Sequence, residues 1–167
     1  MHARIVASVL TAFVACSPAL ADEQDPERNE LWVTSGFVSK HTSEHQAPAA
    51  GWNENNTGVG VEYAFNNNWL VGGGTYENSV YKTSHYVQFV WSPDLLTQRR
   101  GDWRFSLGAA VGVVDGYPRM RAGGYFPTLL PVASAEWKRL GINLTYVPSV
   151  TANVSGAFAL QLKFRLL

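Results

Sequence analysis

Rows of apolar side chains at every second position limit this fold more than any other feature of the chain. Near the C-terminus, Phe158, Leu160, Leu162, Phe164 and Leu166 interleave with Ala159, Gln161, Lys163 and Arg165. Val59, Val61, Tyr63 and Phe65 interleave with Gly58, Gly60, Glu62 and Ala64. Trp103, Phe105, Leu107, Ala109, Val111 and Val113 do the same with Arg104, Ser106, Gly108, Ala110, Gly112 and Val114. A period of two puts one apolar face on a strand and leaves no helical stripe. Eight such segments can be read, at roughly 31–41, 57–66, 69–78, 84–92, 103–115, 127–137, 141–148 and 156–166. An even count of strands about ten residues long, with outward apolar rows and terminal aromatics, predicts an all-β fold. The expected architecture is an eight-stranded antiparallel transmembrane β-barrel, with a soluble secreted β-barrel or sandwich as the competitor.

The N-terminus reads as an export signal. Arg4 is a short basic region, Ile5 to Ala15 an apolar run, and Ala19-Leu20-Ala21 an A-x-A cleavage pattern. Residues 1–21 are therefore the expected signal peptide, 22–30 a short polar segment and 31–167 the barrel. Cys16, preceded by Phe13-Val14-Ala15, forms only a rough lipobox, and cleavage after Ala21 removes the sole cysteine. Disulfide and thiolate chemistry go with it. Without Arg4 the chain keeps 12 basic against 13 acidic residues, which excludes nucleic acid as the expected partner. A monomer in the outer membrane of a Gram-negative bacterium is expected.

Loop lengths orient the barrel, because outer-membrane barrels pair short periplasmic turns with longer outer loops. The segments 42–56, 79–83, 116–126 and 149–155 become outer loops; 66–68, 93–102 and 138–140 become inner turns. Arg104, Glu136, Gln161, Lys163 and Arg165 then point inward in the periplasmic half, where they can pair as a plug. Inward positions of the outer half are small or apolar, among them Gly58, Gly60, Ala110, Val114, Leu130, Val132 and Ala159. A barrel of this size holds its own side chains or one slim ligand. The pattern predicts a closed-bottomed apolar pocket suited to an acyl chain, with Gly72, Gly74, Gly108 and Gly112 as candidates for its floor.

Pro131 and Pro148 lie equally far from a turn centred at 139.5, so they are expected to face each other across a hairpin. Proline donates nothing to a ladder. Two opposed prolines would open the wall sideways.

His41 ends the first strand and Asn78-Ser79 end the third, all at the outer rim. A histidine base with a nearby hydroxyl and amide is a minimal set for acyl transfer. His45 is a second candidate base, and His85 could reach the same rim. No ligand spacing supports a metal, and the chemistry needs no cofactor.

The run Leu129-Leu130-Pro131-Val132-Ala133-Ser134, then Thr145-Tyr146-Val147-Pro148 and a final alternating strand, resembles the end of the outer-membrane lipid A palmitoyltransferases (PagP type). That resemblance covers about residues 126–167. It implies transfer of a palmitoyl chain from a phospholipid donor to lipid A of lipopolysaccharide, in an interior that measures hydrocarbon length, at a site facing the outer leaflet. It also implies that His41 and Ser79 match the family's histidine and serine, with Asn78 where the family has aspartate. A fainter similarity, of His41-Thr42-Ser43 and Glu54 to the lipid A deacylases, makes a hydrolase the alternative. A non-enzymatic outer-membrane barrel is the third reading.

Overall fold

The computed structural model describes residues 27–43, 47–149 and 154–167. The expected signal segment and His45 lie outside them. Nine strands follow in order: β1 (Glu30–His41), β2 (Asn55–Ala64), β3 (Trp69–Glu77), β4 (Thr83–Trp91), β5 (Thr97–Arg100), β6 (Trp103–Val114), β7 (Phe126–Trp137), β8 (Leu140–Val147) and β9 (Ala157–Arg165). Each pairs antiparallel with its neighbours, and β9 returns to β1.

β4 and β5 form a single stave of the wall. β4 pairs with the outer part of β6 and β5 with its periplasmic end. The barrel is thus closed and eight-staved. Residues 93–102, expected as an inner turn, partly belong to the wall. Pro93 has no N–H for the ladder, so the chain leaves the sheet, makes a short 3₁₀ turn at Asp94–Leu96 and rejoins at Thr97.

The alternating rows face out as expected. Val59, Leu129 and Leu162 are all more than half exposed. Such continuous apolar cladding has no favourable contact in water. Trp69 pairs with Trp91 and Trp103 with Trp137, ring centroids 6.2 and 6.1 Å apart, at the periplasmic ends of their strands. Tyr146 and Phe158 meet at 4.9 Å towards the other end. Apolar flanks between aromatic girdles, with every stave paired to its neighbours, define a membrane-spanning barrel.

Inside, the periplasmic half is an ionic plug. Lys163 Nζ lies 2.8 Å from Glu136 and 3.2 Å from Glu62, over the Trp32 ring. Arg28 reaches Glu136 at 3.1 Å and also pairs with Glu30, which holds Arg165. Arg104 Nη2 donates to the Asn67 carbonyl. Arg104, Glu136, Lys163 and Arg165 therefore pair as their parity predicts, and Gln161 points inward in the layer above them, bonded to Thr34 and Ser35. Glu30, Glu62, Arg28 and Trp32 complete the cluster.

Two local details control what reaches the outer half. The first is a bulge in β1, which carries one residue more than β9 between Thr34 and Phe37 and one fewer than β2 between Ser35 and Phe37. Gly36 permits it, since a Cβ there would collide with the backbone of Asn56 and Gly58. Trp32 and Thr34 face inward before the bulge, and Phe37, Ser39 and His41 after it. One extra residue flips the face of everything beyond it. His41 faces the interior for that reason.

The second detail is the β7–β8 hairpin, where the predicted register is wrong. Trp137 pairs with Leu140 across a two-residue turn, Lys138-Arg139, with Lys138 at φ 52°. The turn centre is therefore 138.5, and continuing the observed register sets Pro131 opposite Tyr146 and Pro148 opposite Leu129. The prolines are two places out of step. The ladder nonetheless ends at Val132–Thr145, one place before Pro131. The outer half of β7 keeps only its β6 partner. Six residues, Phe126 to Pro131, thus leave about 20 Å of β7 edge without a β8 rung.

Candidate functional site

A cavity of about 460 Å³ runs down the barrel interior from the outer rim to the plug residues Arg28, Glu62 and Glu136. Its apolar walls come from Val114 on β6, Leu130 and Val132 on β7, Val147 on β8, and Ala157 and Ala159 on β9. Phe37, Tyr76 and Tyr86 form an aromatic cluster on the opposite side, with centroids 5.0 to 6.0 Å apart. The deeper lining is polar. Gln161 Nε2 donates to Ser35 O at 2.9 Å and lies 3.2 Å from Thr34 Oγ1. Asn143 Nδ2 donates to Glu62 at 2.7 Å, and Ser134 Oγ donates to Asn143 Oδ1 at 3.0 Å. Below that layer sits the ionic plug.

The four candidate floor glycines do not line this cavity; neighbouring side chains cover them. A Cβ on Gly74 would lie 3.0 Å from the Tyr86 ring and on Gly72 3.1 Å from Glu62 Cγ. On Gly108 it would meet Ser92 Oγ at 2.6 Å, and on Gly112 Gln88 Cβ at 2.8 Å. The glycines are seats for the larger inward groups of adjacent strands. Sequence parity gives their direction, but not which cross-strand neighbour leans over them.

His41 and Ser79 both line the cavity. The first outer loop joins them. Trp52 stacks on His41, centroids 4.1 Å apart and planes within 6°, and its indole N–H donates to Ser43 O. The next residue, Asn53, donates its backbone N–H to Ser79 O at 3.0 Å and its side-chain amide to Asn78 O at 3.2 Å. Glu54 accepts the His41 backbone N–H at 3.2 Å and the Lys40 ammonium at 3.0 Å. The Lys40 hydrogen bond, the His41 N–H and both neighbouring charges hold its carboxyl below the usual range against the opposing effect of burial.

Asn78 is not available to a reacting group. Its side chain is fully buried. Its Nδ2 donates to Ser84 Oγ at 2.9 Å and Gly116 O at 2.8 Å, and its Oδ1 accepts from Val80 and Lys82 N–H at 3.0 Å each. This is an Asx-type turn that pins one outer loop to another. The expectation that Asn78 orients His41 or holds an oxyanion is therefore corrected to a scaffold role.

Three functional neighbours have no isolated sequence signal: Trp52, Asn53 and Tyr117. Tyr117 also lines the cavity, and its hydroxyl lies 3.1 Å from that of Tyr76. Burial raises the Tyr117 phenol above its ordinary value, opposed by hydrogen bonds with Tyr76 and Ser79. His85, by contrast, turns to Asp115 on the rim, Nδ1 to Oδ2 3.2 Å. Among the described residues no cluster of three metal-ligating side chains occurs.

The closed, apolar-clad, internally plugged wall defines the class: an eight-stranded transmembrane β-barrel of the outer membrane. No family profile and no curated protein matches the chain. Among solved structures it is similar to a de novo designed transmembrane β-barrel, at 16% identity and a TM-score of 0.48, covering 84% of this chain and 99% of that one. It is similar also to the N-terminal barrel domain of Pseudomonas aeruginosa OprF (8%, 0.44, covering 84% and 99%). The Yersinia pestis outer membrane protein Ail in a phospholipid nanodisc follows (16%, 0.41, covering 83% and 100%). The class rests on the barrel's own geometry.

Proposed function

We propose that this barrel is an acyltransferase, moving a palmitoyl chain from a phospholipid to lipid A in the outer leaflet. The observation that carries the reading is a coincidence of three features in the same half of the barrel. They are the apolar-walled outer part of the cavity, an unzipped stretch of β7–β8 wall, and a histidine and a serine at the cavity lining. A lipid tail would pass between Phe126–Pro131 and the end of β8 and lie against Leu130, Val132 and Val147. Each methylene buried there is worth about 0.8 kcal/mol.

In the reaction, His41 takes the proton from a lipid A hydroxyl as its oxygen attacks the donor ester carbonyl. The tetrahedral oxyanion accepts a hydrogen bond from the Ser79 hydroxyl. Collapse breaks the ester C–O bond, and the lysophospholipid oxygen leaves with the proton His41 returns. Trp52 fixes the imidazole plane. No cofactor enters this scheme. The palmitoyl length and the lipid A acceptor come from the C-terminal resemblance, and the cavity supports only the coarser class of acyl chain.

The test is mass spectrometry of lipid A from a host lacking such activity, with and without the protein. A gain of one palmitoyl mass with wild type, lost in His41→Ala and Ser79→Ala while the barrel still assembles, is the expected result. No mass gain sinks the reading. A non-catalytic lipid-binding barrel is the second reading, favoured by the complete use of Asn78 in its own turn. It expects unmodified lipid A together with a lipid retained in the cavity, detectable by native mass spectrometry.

A further inference from the structure

With Asn78 consumed by its loop, a different outer loop supplies the next polar side chain of the lining that holds Ser79. Asp115-Gly116-Tyr117 leaves β6, and Gly116 turns at φ 84°. A Cβ on Gly116 would also overlap Ser84 and the backbone of Thr83. Gly116 donates its N–H to Gly123 O at 2.9 Å and accepts the Asn78 amide at 2.8 Å. That turn delivers Tyr117 to the cavity lining that Ser79 also borders, with Phe126 edge-on to its ring at 6.0 Å. The Tyr117 hydroxyl meets the Tyr76 hydroxyl at 3.1 Å, and the Asn78–Gly116 bond holds the residue before Tyr117 against the residue before Ser79.

We propose that Tyr117 is the positioning residue of the site, its hydroxyl linking Tyr76 to Ser79 and setting where the Ser79 hydrogen points. A phenol can donate one hydrogen bond and accept others. If Tyr76 donates to Tyr117, Tyr117 donates to Ser79 Oγ. The Ser79 hydrogen is then left to face the cavity, where an ester oxyanion would form. Asn78 acts one step back, holding the turn that presents the phenol. The inference deepens the acyltransferase reading and rests on it.

The experiment compares full-length wild type, Tyr117→Phe, Ser79→Ala and the double variant in mixed phospholipid–lipid A micelles, following lysophospholipid and acylated lipid A. Tyr117→Phe keeps the ring against Phe126 and removes only the hydroxyl. The expected result is a 10- to 100-fold loss of kcat with KM within about twofold. The double variant should be no slower than Ser79→Ala alone, because a residue acting through Ser79 has nothing left to position. Transfer by wild type with an unchanged kcat in Tyr117→Phe, or with additive losses in the double variant, overturns the role of Tyr117 and leaves the acyltransferase reading standing. Absence of transfer in wild type overturns both. Should Tyr117→Phe fail to assemble, Tyr76→Phe tests the far end of the same hydroxyl row. A several-fold loss of kcat there supports the chain, and wild-type kcat overturns it.

Discussion

Replacing Lys163 by methionine tests the ionic plug on which the closed bottom of the cavity depends. The Lys163 side chain is 0% exposed, and its partners Glu62 and Glu136 are 2% and 9% exposed. The two carboxylates do not suffer equally. Glu136 retains Arg28 at 3.1 Å and Arg104 at 3.9 Å, whereas Lys163 is the cation held against Glu62, beside the Asn143 amide at 2.7 Å. Lys163→Met therefore strands Glu62 in a site with little water. Breaking a buried pair from one side costs about 3–5 kcal/mol. Loss of the Lys163 contact over Trp32, 4.8 Å from the ring centroid, adds to it. With a urea slope of about 2 kcal/mol per molar, a loss of about 4 kcal/mol moves the unfolding midpoint down by about 2 M. The assay is urea unfolding of the barrel from lipid vesicles, followed by tryptophan fluorescence. Adding Glu62→Gln removes the stranded charge and should restore at least half of the loss. A midpoint shift below about 0.5 M for Lys163→Met, the scale of a solvated pair, would show that the plug is hydrated and refute this account.

The remaining predictions concern the rim and the wall. Asn78→Ala removes four hydrogen bonds, each worth about 1 kcal/mol net, so the 78–82 and 115–125 loops should become sensitive to limited proteolysis while the barrel stays assembled. Asn78→Asp should not rescue or raise any transfer activity, because the side chain faces the Ser84 hydroxyl, the Gly116 carbonyl and its own turn rather than His41; faster transfer in lipid A mass spectrometry would contradict that placement. Gly74→Ala meets the Tyr86 ring and the backbone of Val59 and Gly60, and overpacking of this kind costs about 1–3 kcal/mol in urea unfolding. The looser Gly72→Ala should cost less. At the rim, the carboxyl of Asp115 is held low by the His85 backbone N–H and, less, by the His85 side chain, against desolvation. A depressed carboxyl stabilises above its unfolded pKa, near 4, and that contribution disappears as pH falls through the folded value. Proteolysis of the 115–125 loop should therefore rise below about pH 4 in wild type, and much less so in Asp115→Asn.

Most of the wall could be read directly because alternation is a local property. Side-chain direction in a strand follows from counting by two, so the outward rows and the inward Arg104, Glu136, Gln161, Lys163 and Arg165 all have their predicted directions. The same counting misplaced Pro148 against Pro131. A hairpin register depends on how few residues the turn needs, and Leu140 went to the strand instead of the turn. At the site, His41 and Ser79 were identifiable as polar groups at strand ends. Asn78 was equally visible, yet its chemistry is exhausted by Ser84, Gly116, Val80 and Lys82, of which only the last two are close neighbours in the chain.

The sequence by itself determined the barrel class, the apolar cladding and the charged lower half, since each follows from period and composition along single strands. Tertiary structure alone decided three things. The bulge at Gly36 turned His41 inward, because one unpaired residue reverses the pleat. Tyr86, Glu62, Gln88 and Ser92 occupy the space over the glycines, because cross-strand register brings them there. The meeting of Tyr117 with Tyr76, and of Gly116 with Asn78, arises where two loops meet above the closed sheet, from residues whose separation in the chain carries no periodic signal.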